Sequence, residues 1–186
     1  MNKTTSTTWI VFSILTLLLG AAWIWYSTAP AGSTTQGNIP APQQGFLSPD
    51  FELTTFSGDS YSLSELHGHP IIINFWASWC PPCRTEMPAI QRVYDEFQDQ
   101  GLIVLAVNTT NQDNLGDAIT FAQIRKLTFP LLIDRDGGVA NQFEVRSLPS
   151  TFFVDPEGII REVVIGGPMS EALLRIRTEQ LLEGNP

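Results

Sequence analysis

The chain has 186 residues, 43% of them hydrophobic, which allows one ordinary domain with extensions and leaves two full domains cramped. Lys3 is the only charged side chain before Asp50. Residues 50–186 therefore hold 9 of the 10 basic and all 19 acidic groups, a net −10 that repels phosphate backbones and sets nucleic acid aside as a partner.

The two cysteines lie three positions apart, which excludes a disulfide scaffold and a zinc site built from four Cys and His ligands. No charge occurs from Thr4 to Pro49, and Trp9 to Tyr26 is an 18-residue, mostly apolar run. As a helix it would reach roughly 27 Å, close to the ~30 Å hydrocarbon thickness of a bilayer. Trp9 at one end and Trp23, Trp25 and Tyr26 at the other suit the headgroup region. The expectation is a cytoplasmic end at 1–8 and a single transmembrane anchor at 9–26. A cleaved signal segment is the rival reading, with Ala29-Pro30-Ala31 as a poor cleavage site. Both place the rest of the chain outside the cytoplasm. Residues 27–45, rich in Pro, Gly, Ser, Thr and Gln, read as a flexible linker, and 46–186 as the folded domain.

Within that domain, Phe51–Thr55 and Ser60–Leu63 flank a Ser57-Gly58-Asp59 turn and predict a hairpin. Pro70–Phe75 carries three consecutive isoleucines, a strand buried on both faces. Residues 82–100 have helical periodicity, with Met87, Ile90, Val93, Tyr94 and Phe97 on one stripe. Leu102–Val107 is a second buried strand. A helix follows over Asp113–Lys126, with Leu115, Ala118, Ile119 and Ala122 on its inner face and Arg125-Lys126 at its carboxyl end. Leu131–Ile133 is a short strand, and Val139–Phe143 a brief helix. Thr151–Val154 and Ile159–Ile165 pair through Asp155-Pro156-Glu157-Gly158. Ser170 caps a last helix that turns Leu173, Leu174, Leu181 and Leu182 inward. This order predicts an α/β fold, a mixed central sheet with helices on both faces.

Asn74-Phe75-Trp76-Ala77-Ser78-Trp79-Cys80-Pro81-Pro82-Cys83-Arg84-Thr85-Glu86-Met87-Pro88 places two cysteines where a buried strand hands over to a helix. Closing so short a loop stabilises a fold by only about 2 kcal/mol. At an exposed turn, such a bridge makes more sense as a switch than as a staple. Cys80, at or just before the helix start, is favoured as a thiolate by free N–H groups and the helix dipole. It is the candidate nucleophile. Cys83, one turn on, shares the inward stripe and would resolve the mixed disulfide. Pro81 and Pro82 have no N–H to offer the Cys80 sulfur, which leaves its thiolate less stabilised and favours a reductase. Glu86 reads two ways: a half-buried carboxyl of raised pKa that relays a proton for Cys83, or an acid complementing the helix dipole. Trp79 suits a docking surface and Trp76 the core, while Pro88 should bend the helix.

This segment, with Pro49-Asp50-Phe51 and Leu148-Pro149-Ser150-Thr151-Phe152, resembles the thioredoxin superfamily, in particular its membrane-anchored TlpA/ResA-like redoxin branch, over residues 46–183. The resemblance implies a thioredoxin-like fold and thiol–disulfide oxidoreductase activity without a cofactor. It makes Pro149 the superfamily's cis-proline, with the Leu148 backbone open to a substrate strand. It gives Glu86 a functional role, and it aligns Asn74, which cannot titrate, with the buried Asp of thioredoxin. The implied partners are disulfide-containing exported proteins such as apocytochrome c, and a membrane thiol transporter as electron donor.

Two alternatives remain. Pro130-Leu131-Leu132-Ile133-Asp134 resembles a peroxiredoxin segment, although the Pro-x-x-x-Thr-x-x pattern of the peroxidase cysteine is missing. A copper-binding module would draw on His67 or His69, but the related copper-handling branch has three residues between its cysteines, where this chain has two. No metal site is assigned.

Overall fold

The computed structural model describes residues 3–27 and 39–184. They belong to two compact units, residues 1–35 and 36–186.

The first unit contains a helix, α1, over Lys3–Ser27. Trp9, Phe12, Leu17 and Trp23 are exposed on it, so apolar side chains point outward all round. The Ser13 and Thr16 hydroxyls donate back to the helix's own carbonyls at Trp9, Phe12 and Ser13, which hides them from an apolar surround. Among the described residues no helix is long and apolar enough to cross a membrane. The side chains of Val11 and Trp25, two members of the run at 9–26, lie outside the described residues. So does most of the expected linker, at 28–38.

The second unit begins earlier than position 46. Residues 39–45 are already tied to it: Ala41 N donates to Leu47 O, and Gly45 N donates to Ile160 O at 2.8 Å. The hairpin is present as β1 (Glu52–Thr54) and β2 (Ser60–Ser62), paired antiparallel. The main sheet comprises β3 (Ile71–Trp76), β4 (Ile103–Asn108), β5 (Leu131–Ile133), β6 (Ser150–Val154) and β7 (Ile160–Ile165), in the order β5-β4-β3-β6-β7. β3 runs parallel to β4 and antiparallel to β6. The helices are α2 (Pro81–Phe97), α3 (Leu115–Arg125), α4 (Gly138–Gln142) and α5 (Glu171–Leu182).

Strand parity divides the core into two layers, because successive side chains point to opposite faces. Ile72, Trp76, Val104, Ala106 and Phe153 pack with Met87, Ile90 and Val93 of α2, Phe121 of α3 and Leu174 of α5. Ile71, Ile73, Phe75, Leu105 and Phe152 pack on the other face against Phe51, Val139 and Phe143. The helical stripe read for α2 is therefore its core face.

In α5, Ser170 Oγ accepts from Leu173 N as expected of a cap. Leu173 itself, however, is 38% exposed. The buried row is Leu174, Thr178 and Leu181, and Thr178 fits because its hydroxyl donates to Leu174 O within the helix. A leucine-only pattern passes over that position.

Candidate active site

The strand–turn–helix unit β3–α2 carries the cysteines beyond the carboxyl end of the central strand. Cys80 is the N-cap of α2, its backbone still extended, and Pro81 and Pro82 fill the first helical turn. Proline suits that position, because its fixed φ is helical and the missing N–H would have no intrahelical partner. Cys80 and Cys83 are joined as a disulfide, with Cα atoms 5.3 Å apart. With both prolines silent, the N–H that reaches the Cys80 sulfur is that of Cys83, at 3.3 Å.

The turn is less exposed than the sequence suggested. Cys80 is 2% and Cys83 1% exposed, since both belong to the apolar layer under α2. What projects beside them is Trp79, 55% exposed, with Pro81 exposed as well. Trp76 is fully buried. Pro88, inside α2, removes one N–H from the helical ladder.

Glu86 is 1% exposed, not half-buried. Parity explains its surroundings. Asn74 and Thr151 are direct partners across the β3–β6 pair and face α2. Asn74 Nδ2 donates to Glu86 Oε1 at 3.0 Å and to Thr151 Oγ1 at 2.8 Å. Met169 N donates to Glu86 Oε2 at 2.8 Å. Burial pushes the Glu86 pKa above the ordinary carboxylate value, against the opposing pull of these donors from Met169, Thr151 and Asn74. Asn74 spends both amide hydrogens here, and its Oδ1 is buried without a partner.

The peptide bond between Leu148 and Pro149 is cis. Pro149 O accepts from Gly166 N at 2.8 Å, tying this loop to the segment after β7. Gly167 is wedged in the same place: a Cβ there would stand 2.7 Å from Glu86 Oε2 and 2.9 Å from Pro149 Cγ. Glu86, three residues after Cys83 on α2, and Pro149 thus meet at Gly167. A second cis bond, Gly167–Pro168, has no counterpart among the sequence expectations.

Further contributors escaped the sequence reading. Asp113 accepts from Ser78 N and Ser78 Oγ, both at 2.6 Å, and from Asn108 Nδ2 at 2.8 Å, so it pins the loop leading into Cys80. Trp79 Nε1 donates to Gln112 O. Met169 and Gly167 act on Glu86 from about eighty residues away. The only local signal was a polar, turn-like 108–114 stretch and a Gly-Gly-Pro at 166–168.

The residues of the alternative readings have other surroundings. Pro130–Asp134 forms β5 and its exit, where the buried Asp134 carboxylate accepts from Val139 N and Ala140 N at the start of α4. His67 and His69 precede β3, whereas the cysteines follow it, so a strand of roughly 20 Å separates them. Among the described residues no group of three or more His, Cys, Asp or Glu could hold a metal.

A mixed five-stranded sheet, a disulfide opening a helix and a neighbouring cis-proline define the class of thioredoxin-fold thiol–disulfide oxidoreductases, and the relatives agree. The chain belongs to the AhpC/TSA family, which matches residues 45–163. It is 38% identical over 160 residues to the thioredoxin-like protein YneN of Bacillus subtilis, spanning 85% of this chain and 89% of that one. It is 37% identical to the thiol-disulfide oxidoreductase ResA of Geobacillus kaustophilus, over 70% of this chain and 74% of the relative. Among solved structures, a secreted disulfide oxidoreductase of Mycobacterium tuberculosis, homologous to DsbE of E. coli, superposes with a TM-score of 0.65 at 27% identity. That match covers 70% of this chain and 96% of the other. The protein is a thiol–disulfide oxidoreductase.

Proposed function

We propose that this protein is a membrane-tethered reductase working outside the cytoplasm on disulfides of exported proteins, the haem-binding cysteines of apocytochrome c being a fitting substrate. The observation that carries the direction of transfer is the donor-poor Cys80 sulfur. Two prolines leave it the single N–H of Cys83, so its thiolate is weakly held and the dithiol gives up electrons readily.

In the reduced protein the Cys80 thiolate attacks one sulfur of the substrate cystine, forming a mixed disulfide and releasing a substrate thiolate. Cys83 then loses its proton to Glu86 and attacks the Cys80 sulfur. The second substrate thiolate leaves, and the Cys80–Cys83 bond remains. Two electrons have passed to the substrate. Trp79, Pro81 and Pro82 flank the reacting sulfurs. Leu148, held by the cis bond to Pro149, offers its main-chain groups to the substrate segment; among the described residues nothing hydrogen-bonds to the Leu148 main chain. A membrane thiol transporter returns the protein to the dithiol. The outward-facing apolar side chains of α1 support the tether.

The C83S variant should accumulate mixed disulfides with exported proteins, and C80S should lose exchange. The measured reduction potential should lie well below the roughly −120 mV of a strong oxidant. A potential near that figure, or exchange that survives C80S, overturns the reading.

A further inference from the structure

Beside the disulfide lies an open hollow of about 570 Å³, lined by Trp79, Pro81, Arg84, Thr85, Pro88 and Arg125. Its two arginines are held differently from the ion-paired ones of this chain. Arg92, Arg161, Arg175 and Arg177 are each paired with a carboxylate. Among the described residues, Arg84 and Arg125 have no such pair.

Both guanidiniums instead rest on one aromatic ring. The Cζ of Arg84 is 5.3 Å and that of Arg125 5.8 Å from the centre of Phe121. Phe121 in turn packs against Trp76, directly beneath the active-site loop. Arg84 Nη1 also donates to Ser78 O at 3.2 Å. Stacking on a ring fixes a guanidinium while leaving its N–H edge free for a carboxylate. The acid that contacts the loop is Asp113. Its oxygens are occupied by Ser78, Asn108 and Asn114.

We propose that this hollow is the docking site for an acidic segment of the protein substrate, with Asp or Glu residues close to the target cystine. This rests on the reading of Cys80 as the attacking sulfur, because the hollow has value to the reaction only if the substrate sulfur is delivered there. The net −10 of residues 50–186 does not oppose it at contact. At physiological salt the screening length is about 8 Å, so a segment lying in the hollow responds to Arg84 and Arg125 more than to distant acids. Trp79 supplies apolar area and a rigid wall for the same segment.

The test uses the full chain, reduced, with two synthetic peptides that share one intramolecular disulfide and differ in flanking residues, Asp/Glu in one and Lys in the other. At low salt kcat/KM should favour the acidic peptide by roughly three- to tenfold, expressed in KM, as expected of two partly exposed charge pairs. High salt and R84Q/R125Q should bring the ratio near one. R125Q alone should fall between; among the described residues Arg125 makes no hydrogen bond to the loop, so this variant keeps the frame around Cys80. A wild-type ratio at or below one, or a ratio unchanged in both variants, overturns the proposal. C80S separates the two readings. Exchange that persists in C80S refutes the nucleophile assignment, whereas salt-sensitive, Arg-dependent binding of the acidic peptide to C80S upholds the hollow.

Discussion

Glu86 is a carboxyl that the fold holds in two opposing ways. Burial disfavours its charge, while Asn74 and Met169 direct N–H groups at both of its oxygens and favour it. Desolvation is the larger effect, so the pKa is raised from 4.5. The unfolded chain lacks that burial. From about pH 4.5 up to the raised value the folded state therefore binds more protons than the unfolded one, and stability must fall as pH rises through this window. Below it the contribution is fully present; above it the loss is complete and constant. E86Q carries no titrating proton, and denaturant unfolding measured across pH should show this descending limb in the wild type and not in the variant. If Glu86 also takes the Cys83 proton, E86Q should slow disulfide exchange by about a hundredfold and change the pH profile of the rate. An unaltered rate and profile would return Glu86 to a purely structural role.

At the scale of elements, the β3–turn–α2 unit sets the chemistry, and its turn is held from outside. Asp113 lies just before α3, yet it fastens Ser78 by main chain and hydroxyl at once. D113A leaves the Ser78 N–H and the Asn108 amide without that acceptor, which should cost about 1–3 kcal/mol and lower Tm by several degrees, a size typical for a domain of roughly 150 residues. Exchange should slow as well, because Cys80 follows the loosened loop; calorimetry and an exchange assay check the two effects separately. Such ties explain what could be read beforehand. The hairpin, the buried strands, the stripe on α2 and the Cys–Pro–Pro–Cys turn are local patterns of period, punctuation and spacing, and all are present. Asp113, Met169 and Gly167 are brought to the site by topology alone, and their own neighbourhoods show nothing but turn residues. Leu173 was misplaced for a related reason. A hydroxyl satisfied inside its own helix let Thr178 take a core position that composition assigns to leucine.

For the whole molecule, the distribution of charge is as telling as the site. One lysine precedes a long uncharged stretch, and every acidic residue lies in the part that carries the sheet. The compact division at residues 35 and 36 agrees with this contrast. The ties of Ala41 and Gly45 to Leu47 and Ile160 place the start of the catalytic body upstream of the hairpin. If the amino-terminal unit serves only to tether, a chain beginning at residue 36 should keep its Tm, its reduction potential and its exchange rate with a soluble peptide disulfide. The same chain should move from the membrane fraction to the soluble fraction on cell fractionation. A shortened chain that stays with the membrane would locate the attachment on the folded body. One that loses stability would show that residues before 36 contribute to the fold.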